Sequence, residues 1–302
     1  MGLLEGRVAI VTGAARGIGR AHALCLAAEG ACVVANDLAG CEETVATIVA
    51  AGGRAVALHA DCSDWAQARA LVDHAVRTFG SLHALVNNAG VNRSIAFEHM
   101  SETDWDLAIA GNLRAAVAPT RAAVAWWRET AAAGRPIAGS VVSTTSGAGL
   151  VGNVGQAHYG AAKAGVAAFT VIAAQELRPH GIRLNAIAPA ARTSMSSESP
   201  AVARMMRAPD DPAAFDAWAP AEVAPLVAWL ASAGCTATGR VFHVRGGTIA
   251  CFQGWSLGPT LTTDRPWSAA DLAARLPALV AAAERLDAAR PVPNADLRRQ
   301  LA

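Results

Sequence analysis

The sequence predicts an α/β fold: a doubly wound seven-stranded parallel sheet with helices on both faces and a C-terminal extension. Two observations carry the prediction. Short apolar runs alternate strictly with longer amphipathic ones from residue 7 to 244, the pattern of βαβ units whose right-handed crossovers cover both faces of a sheet. The first run leads at once into TGAARGIG, Thr12 to Gly19, a glycine-rich strand–turn–helix junction of the Rossmann type.

Each element follows in order. RVAIVT (7–12), ACVVAND (31–37), RAVALHAD (54–61), LHALVNN (82–88), SVVST (140–144), IRLNAIAP (182–189) and RVFHV (240–244) read as strands. Their near-continuous apolar content suits strands covered on both faces. Helices are predicted over 17–29, 41–51, 64–79, 102–132, 157–178 and 220–232. Residues 1–249 then form one domain. Within it, 190–219 has no clear period but holds Met195, Met205, Met206, Phe215 and Trp218 among Ser, Pro and Asp, which suits an adaptable apolar flap over a substrate. Residues 250–302 form an extension that packs on the domain or on a neighbouring subunit. Its helix near 268–289 starts at a Ser268–Asp271 capping pattern, and Pro277 is expected to kink or split it.

Composition narrows the function classes. The chain has 302 residues, 53% apolar and 16% charged, which implies a large core plus subunit interfaces. A net charge of +1, no basic run and a single tyrosine give no nucleic-acid groove. The six cysteines (Cys25, Cys32, Cys41, Cys62, Cys235, Cys251) show no metal or C-x-x-C spacing and read as small buried hydrophobes in a reducing compartment. MGLLEGRVAIVTG has no signal-peptide pattern, and no uncharged run of about eighteen apolar residues occurs, so a cytoplasmic protein with no membrane span is expected.

The glycine turn carries the first chemistry. Gly13, Gly17 and Gly19, with Arg16 and Ile18 between them, allow a tight turn and close approach of backbone to a pyrophosphate. The helix that follows favours negative charge at its start. Asp37 ends the second strand, where an acid binds the adenosine ribose hydroxyls and repels a 2′-phosphate. That repulsion, about 1–4 kcal/mol at ~4 Å, favours NAD over NADP. A turn or N-cap role is the alternative for Asp37, and Arg16 pulls toward a phosphate. Asp61 and Cys62 follow the third strand as flanks for the adenine. NNAG, Asn87 to Gly90, ends the fourth strand, where Asn88, Ala89 and Gly90 border the cofactor; a purely structural turn is the rival reading for Asn88.

The second chemistry lies at Tyr159 and Lys163, four residues apart and thus on one helical face. A lysine ammonium beside a phenol favours the phenolate, so a Tyr with an ordinary pKa of ~10 can approach neutrality. Ser146 lies thirteen residues upstream of Tyr159, with Ser143, Thr144 and Thr145 as rival hydroxyls. An acid/base of this kind near a dinucleotide points to alcohol/carbonyl redox chemistry.

In combination, TGAARGIG, Asp61, NNAG, Asn112, Ser146, Tyr159 and Lys163 resemble the short-chain dehydrogenase/reductase family over roughly residues 5–247. The resemblance implies that Tyr159 is the acid/base and that Lys163 lowers its pKa and binds the nicotinamide ribose. It implies that Ser146, selected over its rivals by the family spacing, orients the substrate oxygen, and that Asn112 holds a water in a proton relay. Pro189 takes a cofactor-side place at the end of the sixth strand. Much of the family has Pro-Gly there; this chain has Pro189-Ala190 and a shorter following segment, which weakens carboxamide contacts for Ala191, Arg192 or Thr193. GNVGQAHYGAAKAG (152–165), NLRAAVAPTRAA (112–123), APAARTSM (188–195) and AEVAPLVAWL (221–230) are most similar to the dehydrogenase portion of peroxisomal D-bifunctional proteins, which act on (3R)-hydroxyacyl-CoA thioesters.

The expected protein is an NAD-dependent oxidoreductase of secondary alcohols and ketones that needs no metal. Its substrate is a (3R)-hydroxyacyl thioester or, alternatively, a bulky apolar ketone or alcohol such as a terpenoid, steroid or polyketide. A non-catalytic dinucleotide sensor is the remote alternative. The resemblance implies a homo-oligomer, dimer or tetramer, through 102–132 and 157–178. His158 reads as a wall residue, and Trp126-Trp127 as core or interface. Arg192, Arg204 and Arg207 stand between a CoA phosphate site and a solvated flap.

Overall fold

The computed structural model describes residues 2–193, 200–254 and 256–289. Eight strands form one sheet: β1 (Val8–Thr12), β2 (Cys32–Asp37), β3 (Arg54–His59), β4 (Ala84–Asn87), β5 (Ser140–Thr144), β6 (Arg183–Pro189), β7 (Val241–Arg245) and β8 (Thr248–Cys251). Their order is β3-β2-β1-β4-β5-β6-β7-β8. The first seven are parallel, as expected. The eighth was not anticipated: it pairs antiparallel to β7, with Arg245 opposite Thr248. Gly246-Gly247 makes the reversal, and Gly247 takes φ 72°, a conformation open to glycine. Four residues with no alternating pattern left too little signal for a strand.

Both sheet faces are apolar, so alternate residues of one strand serve different cores. Val8 and Ile10 of β1 join Leu71, Leu85, Trp127 and Leu184 on one face. Ala9 and Val11 join Leu26, Ile48, Val227 and Leu230 on the other. Each large aliphatic so buried contributes roughly 1.5–3 kcal/mol. Trp127 is fully buried and donates its indole N–H to the Leu82 carbonyl at 2.7 Å, which settles it as core.

The helices are α1 (Gly17–Ala28), α2 (Glu42–Ala50), α3 (Trp65–Phe79), α4 (Glu102–Ala108), α5 (Ala115–Ala132), α6 (Gly147–Val151), α7 (Ala157–Leu177), α8 (Pro200–Met205), α9 (Ala224–Ala231) and α10 (Ala269–Ala289). The helix expected over 102–132 is interrupted by a π-helical turn, Ile109–Arg114. The Asn112 side chain donates to the Ala108 carbonyl at 2.9 Å and to the Val91 carbonyl at 2.8 Å, so it competes with the regular ladder. Such turns widen a helix locally and re-aim a side chain. The five-residue α6, rich in glycine, was not foreseen.

The strand order reverses at β1, whose neighbours are β2 and β4. In doubly wound sheets that reversal opens a crevice at the carboxyl ends of the strands. Every expected site residue but those on helices lies at that end.

The chain divides into two compact units, one ending at Cys251 and one starting at Phe252. In the second, Ser268 and Asp271 exchange the expected capping bonds at 3.0 and 3.1 Å. α10 runs unbroken through Pro277, so of the expected kink or split the split does not occur; proline removes one ladder bond without ending the helix. Four cysteines are buried, but Cys251 is exposed on the edge strand, contrary to expectation. Met195 and its neighbours through 199 lie outside the described residues.

Candidate active site

The glycine turn is built by exclusion. Gly13 has φ 66°, and a Cβ there would lie 2.8 Å from the Ala89 Cα. A Cβ on Gly19 would lie 1.9 Å from the Gly13 carbonyl oxygen. Asn88 locks the turn from across the crevice: its Nδ2 donates to the carbonyls of Thr12 and Gly13, both at 3.2 Å. Asn88 therefore has a structural part in holding the turn. The Thr12 hydroxyl accepts from the backbone of Asn88 and Ala89 at 3.0 and 3.1 Å. Sequence reasoning quoted Thr12 without giving it a role; its place at the strand end, before the first glycine, was the available signal.

The start of α1 is open to an anion. Arg16, its N-cap, is extended and makes no capping bond with its side chain, and the first turn holds no acid. The amides of Gly17, Ile18 and Gly19 thus lack side-chain caps, and helix starts of this kind attract phosphate. Asp37 stands at the end of β2. One carboxylate oxygen accepts from the Ala15 amide at 3.2 Å and the other from the Ala39 amide at 3.0 Å. Each oxygen retains a lone pair for a ribose hydroxyl. The turn role of Asp37 is thus occupied without using up its acceptor capacity. Asp61 accepts from the amide and hydroxyl of Ser63 at 2.8 Å each. Cys62 is buried, and burial with Asp61 beside it pushes its thiol up to about 12, so it is a wall and not a nucleophile.

Three helical segments and one strand end bring the second group together. Ser146 caps α6, accepting from the Ala148 amide at 3.2 Å, and its hydroxyl lies on the Tyr159 side, where it opposes the rise of the phenol's pKa. Two of the rival hydroxyls are committed: Ser143 accepts from Asn87 at 3.2 Å and Thr145 donates to the Lys163 carbonyl at 2.6 Å, while the Thr144 hydroxyl is buried without a partner among the described residues. Lys163 is buried, donates to the Thr144 carbonyl at 2.9 Å, and has its ammonium 5.7 Å from the centre of the Tyr159 ring. Asn112 and Lys163 border the same point: a Cβ on Gly90 would meet the Asn112 Oδ1 at 2.7 Å and the Lys163 Nζ at 3.3 Å. Gly90 is what lets both approach. The Asn112 Oδ1 is buried with no partner on the protein, an acceptor poised for one more donor.

One expectation needs correction. Burial raises the Tyr159 pKa above its ordinary value, and the Ser146 hydrogen bond opposes this. Burial also lowers Lys163 to about 8. In the protein alone, burial is the larger influence on the phenol and favours its neutral form.

Other residues are placed elsewhere. Pro189 ends β6, and the next amide, Ala190, pairs with the Val244 carbonyl at 2.9 Å. Arg192 is held by Asp216, Arg207 pairs with Asp210 at 2.6 Å on the surface, and Arg204 is exposed. His158 is buried as a wall, its Nδ1 without a partner. No group of three His, Cys, Asp or Glu among the described residues is arranged to hold a metal.

Residues 7–202 match the short chain dehydrogenase family. The chain is 44% identical over 254 residues to a hydroxyacyl-CoA dehydrogenase, ChsB1, of Mycobacterium tuberculosis, covering 80% of this chain and 78% of that one. It is 37% identical over 257 residues to peroxisomal multifunctional enzyme type 2 of Mus musculus, covering 81% of this chain but 32% of that longer protein. A crystal structure of a short chain dehydrogenase from Mycobacterium avium superposes with a TM-score of 0.84 at 43% identity, covering 93% of this chain and 96% of the other.

Proposed function

The chain belongs to the short-chain dehydrogenase family, and from that premise we propose an NAD-dependent dehydrogenase that oxidises the hydroxyl of a (3R)-hydroxyacyl thioester. One observation supports the reading: Asn112 and Lys163 approach the same point beside Gly90, and Lys163 in turn faces the Tyr159 ring at 5.7 Å. The 44% identity to a hydroxyacyl-CoA dehydrogenase supports the substrate class.

The uncapped start of α1 and the carboxylate of Asp37 fit a dinucleotide without a 2′-phosphate. Bound there, the nicotinamide supplies the hydride acceptor. The chain's own residues handle the proton. Tyr159 Oη, ionised to the phenolate once the cofactor's positive charge is in place, takes it from the substrate hydroxyl. Ser146 donates a hydrogen bond to the oxygen while its charge changes. Lys163 keeps positive charge behind the phenol and, with the free Oδ1 of Asn112, leads the proton away. Asn88 and Thr12 hold the turn so that this geometry costs no rearrangement on binding.

A bulky apolar alcohol is the second reading. Phe97, Val154 and Phe215 are 72%, 99% and 63% exposed, an unusual share of apolar surface for such loops. Free CoA competes with the first substrate class and not with the second. Association through α5 and α7 fits the exposed run of Ala161, Ala168 and Ile172 on α7, and a mass measurement in solution tests it. A cytoplasmic location is proposed alongside; no helix among the described residues is long and apolar enough to cross a membrane.

The test is Tyr159→Phe assayed with NAD and a 3-hydroxyacyl-CoA. NADH binding should persist while kcat falls at least about 10²–10⁴-fold. Turnover near that of the wild type overturns the assignment.

A further inference from the structure

The segment that leaves β6 crosses the cofactor turn and is tied down by a cation that the reaction does not use. Arg192 lies just past Pro189. Its guanidinium takes both oxygens of Asp216, one contact at 3.3 Å, and donates to the Met206 carbonyl at 2.7 Å. Its own amide donates to the Trp218 carbonyl at 2.7 Å. The two side chains are 30% and 19% exposed, so solvent screens the pair only in part.

The far end of this tie is itself fixed to the sheet. The Trp218 amide donates to Asp216 Oδ1 at 3.0 Å, and the Arg245 guanidinium stacks on the Trp218 ring at 4.9 Å. The Gly246 amide donates to the Ala217 carbonyl at 3.1 Å. A Cβ on Gly246 would stand 2.6 Å from the Ala217 Cα, so only glycine allows this approach. Residues 216–218 are thus anchored on the β7–β8 turn, and Arg192 is anchored on them.

The next residue is Thr193. A Cβ on Gly17 would lie 3.6 Å from its Cγ2, so Thr193 rests against the first residue of α1. A shift of Arg192 moves Thr193 off the glycine turn.

We propose that Arg192 is a positioning residue: its two-pronged pair with Asp216 seats Thr193 on the glycine turn and so sets dinucleotide affinity. The inference rests on the dinucleotide reading above and adds to it a device outside the glycine motif. Arg192 does not touch the reacting atoms. Its loss falls on affinity and KM, and proton transfer at Tyr159 is left in place.

The test titrates NADH into the full-length wild type, Arg192→Gln, Asp216→Asn, the double variant and Arg192→Lys. Amide exchange at Arg192 is followed in parallel without cofactor. Each single variant should weaken NADH about tenfold, and the double variant should be no worse than either, as coupled partners require. Arg192→Lys keeps the charge but not the fork, so it should recover about half of that loss on a logarithmic scale. The cofactor KM should rise with Kd, and kcat at saturation should change by no more than about twofold. Unchanged NADH affinity in folded variants, or losses that add in the double variant, overturns the proposal. A wild type that binds neither NADH nor NADPH overturns the dinucleotide reading instead. The clamp is then judged on exchange alone: protection of the Arg192 amide lost in both single variants upholds it, and protection retained overturns it.

Discussion

The ammonium of Lys163 faces the ring of Tyr159 from 5.7 Å while its proton goes to the Thr144 carbonyl at 2.9 Å. The two groups therefore share a buried space without a direct bond, and burial acts on each. It disfavours the charged form of both, raising the phenol and lowering the ammonium. Positive charge from a bound dinucleotide is what remains to tip the phenol toward ionisation.

That balance can be read directly. Tyr159 is the one tyrosine in the chain of 302 residues, so all tyrosinate absorbance belongs to it. In the free protein its midpoint should lie above the ordinary ~10. NAD should lower it, because the nicotinamide ring brings positive charge into the site. Ser146→Ala should raise the free-protein midpoint further, since the Ser146 bond is the force that opposes burial. A midpoint well below ~10 without cofactor would mean that Lys163 alone sets the phenol, contrary to the structure.

Lys163 is also a stability liability. Its pKa falls from 10.5 to about 8 on folding, so between those values the unfolded chain binds more protons than the folded one. Stability should then rise with pH across that window, and the cost of the buried charge is fully present below it. The shift corresponds to about 3 kcal/mol at neutral pH. Lys163→Met removes that cost but strands the Thr144 carbonyl, a penalty of about 1–3 kcal/mol. Urea unfolding at pH 7 should show a net gain of about 1 kcal/mol with turnover abolished. The wild type's rise in stability above pH 8 should be missing in the variant. A variant less stable than the wild type at pH 7, or one that keeps the rise, contradicts this account.

The sheet and the placement of Gly13, Asp37, Asn88, Ser146, Tyr159 and Lys163 were legible because they rest on local rules. Strand ends, glycine turns and helical spacing are written in neighbouring residues. What stayed hidden depends on partners far along the chain. The π turn at Asn112 needs the Val91 carbonyl, twenty-one residues away. The Arg192 clamp needs Asp216, twenty-four residues on, and nothing in the flap's composition marks that pairing. The raised phenol of Tyr159 was missed for another reason. Spacing shows that Lys163 is near, but only packing shows how little water either group retains. β8 was missed because its four residues signal nothing until β7 offers them an edge.

Cofactor choice turns on Asp37, and its two backbone bonds complicate the obvious experiment. Asp37→Ala removes the negative charge and also strands the amides of Ala15 and Ala39, at a cost of about 1–3 kcal/mol for each amide left without a partner. Asp37→Asn keeps one oxygen as acceptor and removes the charge, so it separates turn from selectivity. The wild type should bind NADH more tightly than NADPH, because a 2′-phosphate at ~4 Å from the carboxylate meets about 1–4 kcal/mol of repulsion. Both variants should lose roughly that preference, about five- to a thousandfold in the ratio of dissociation constants. The alanine variant, which strands both amides, should weaken NADH and lower Tm more than the asparagine variant, which strands one. Fluorescence titration of both cofactors against the three proteins checks it. NADPH bound more tightly by the wild type would hand the choice to Arg16, exposed at the start of α1, and the enzyme would then be read as a reductase.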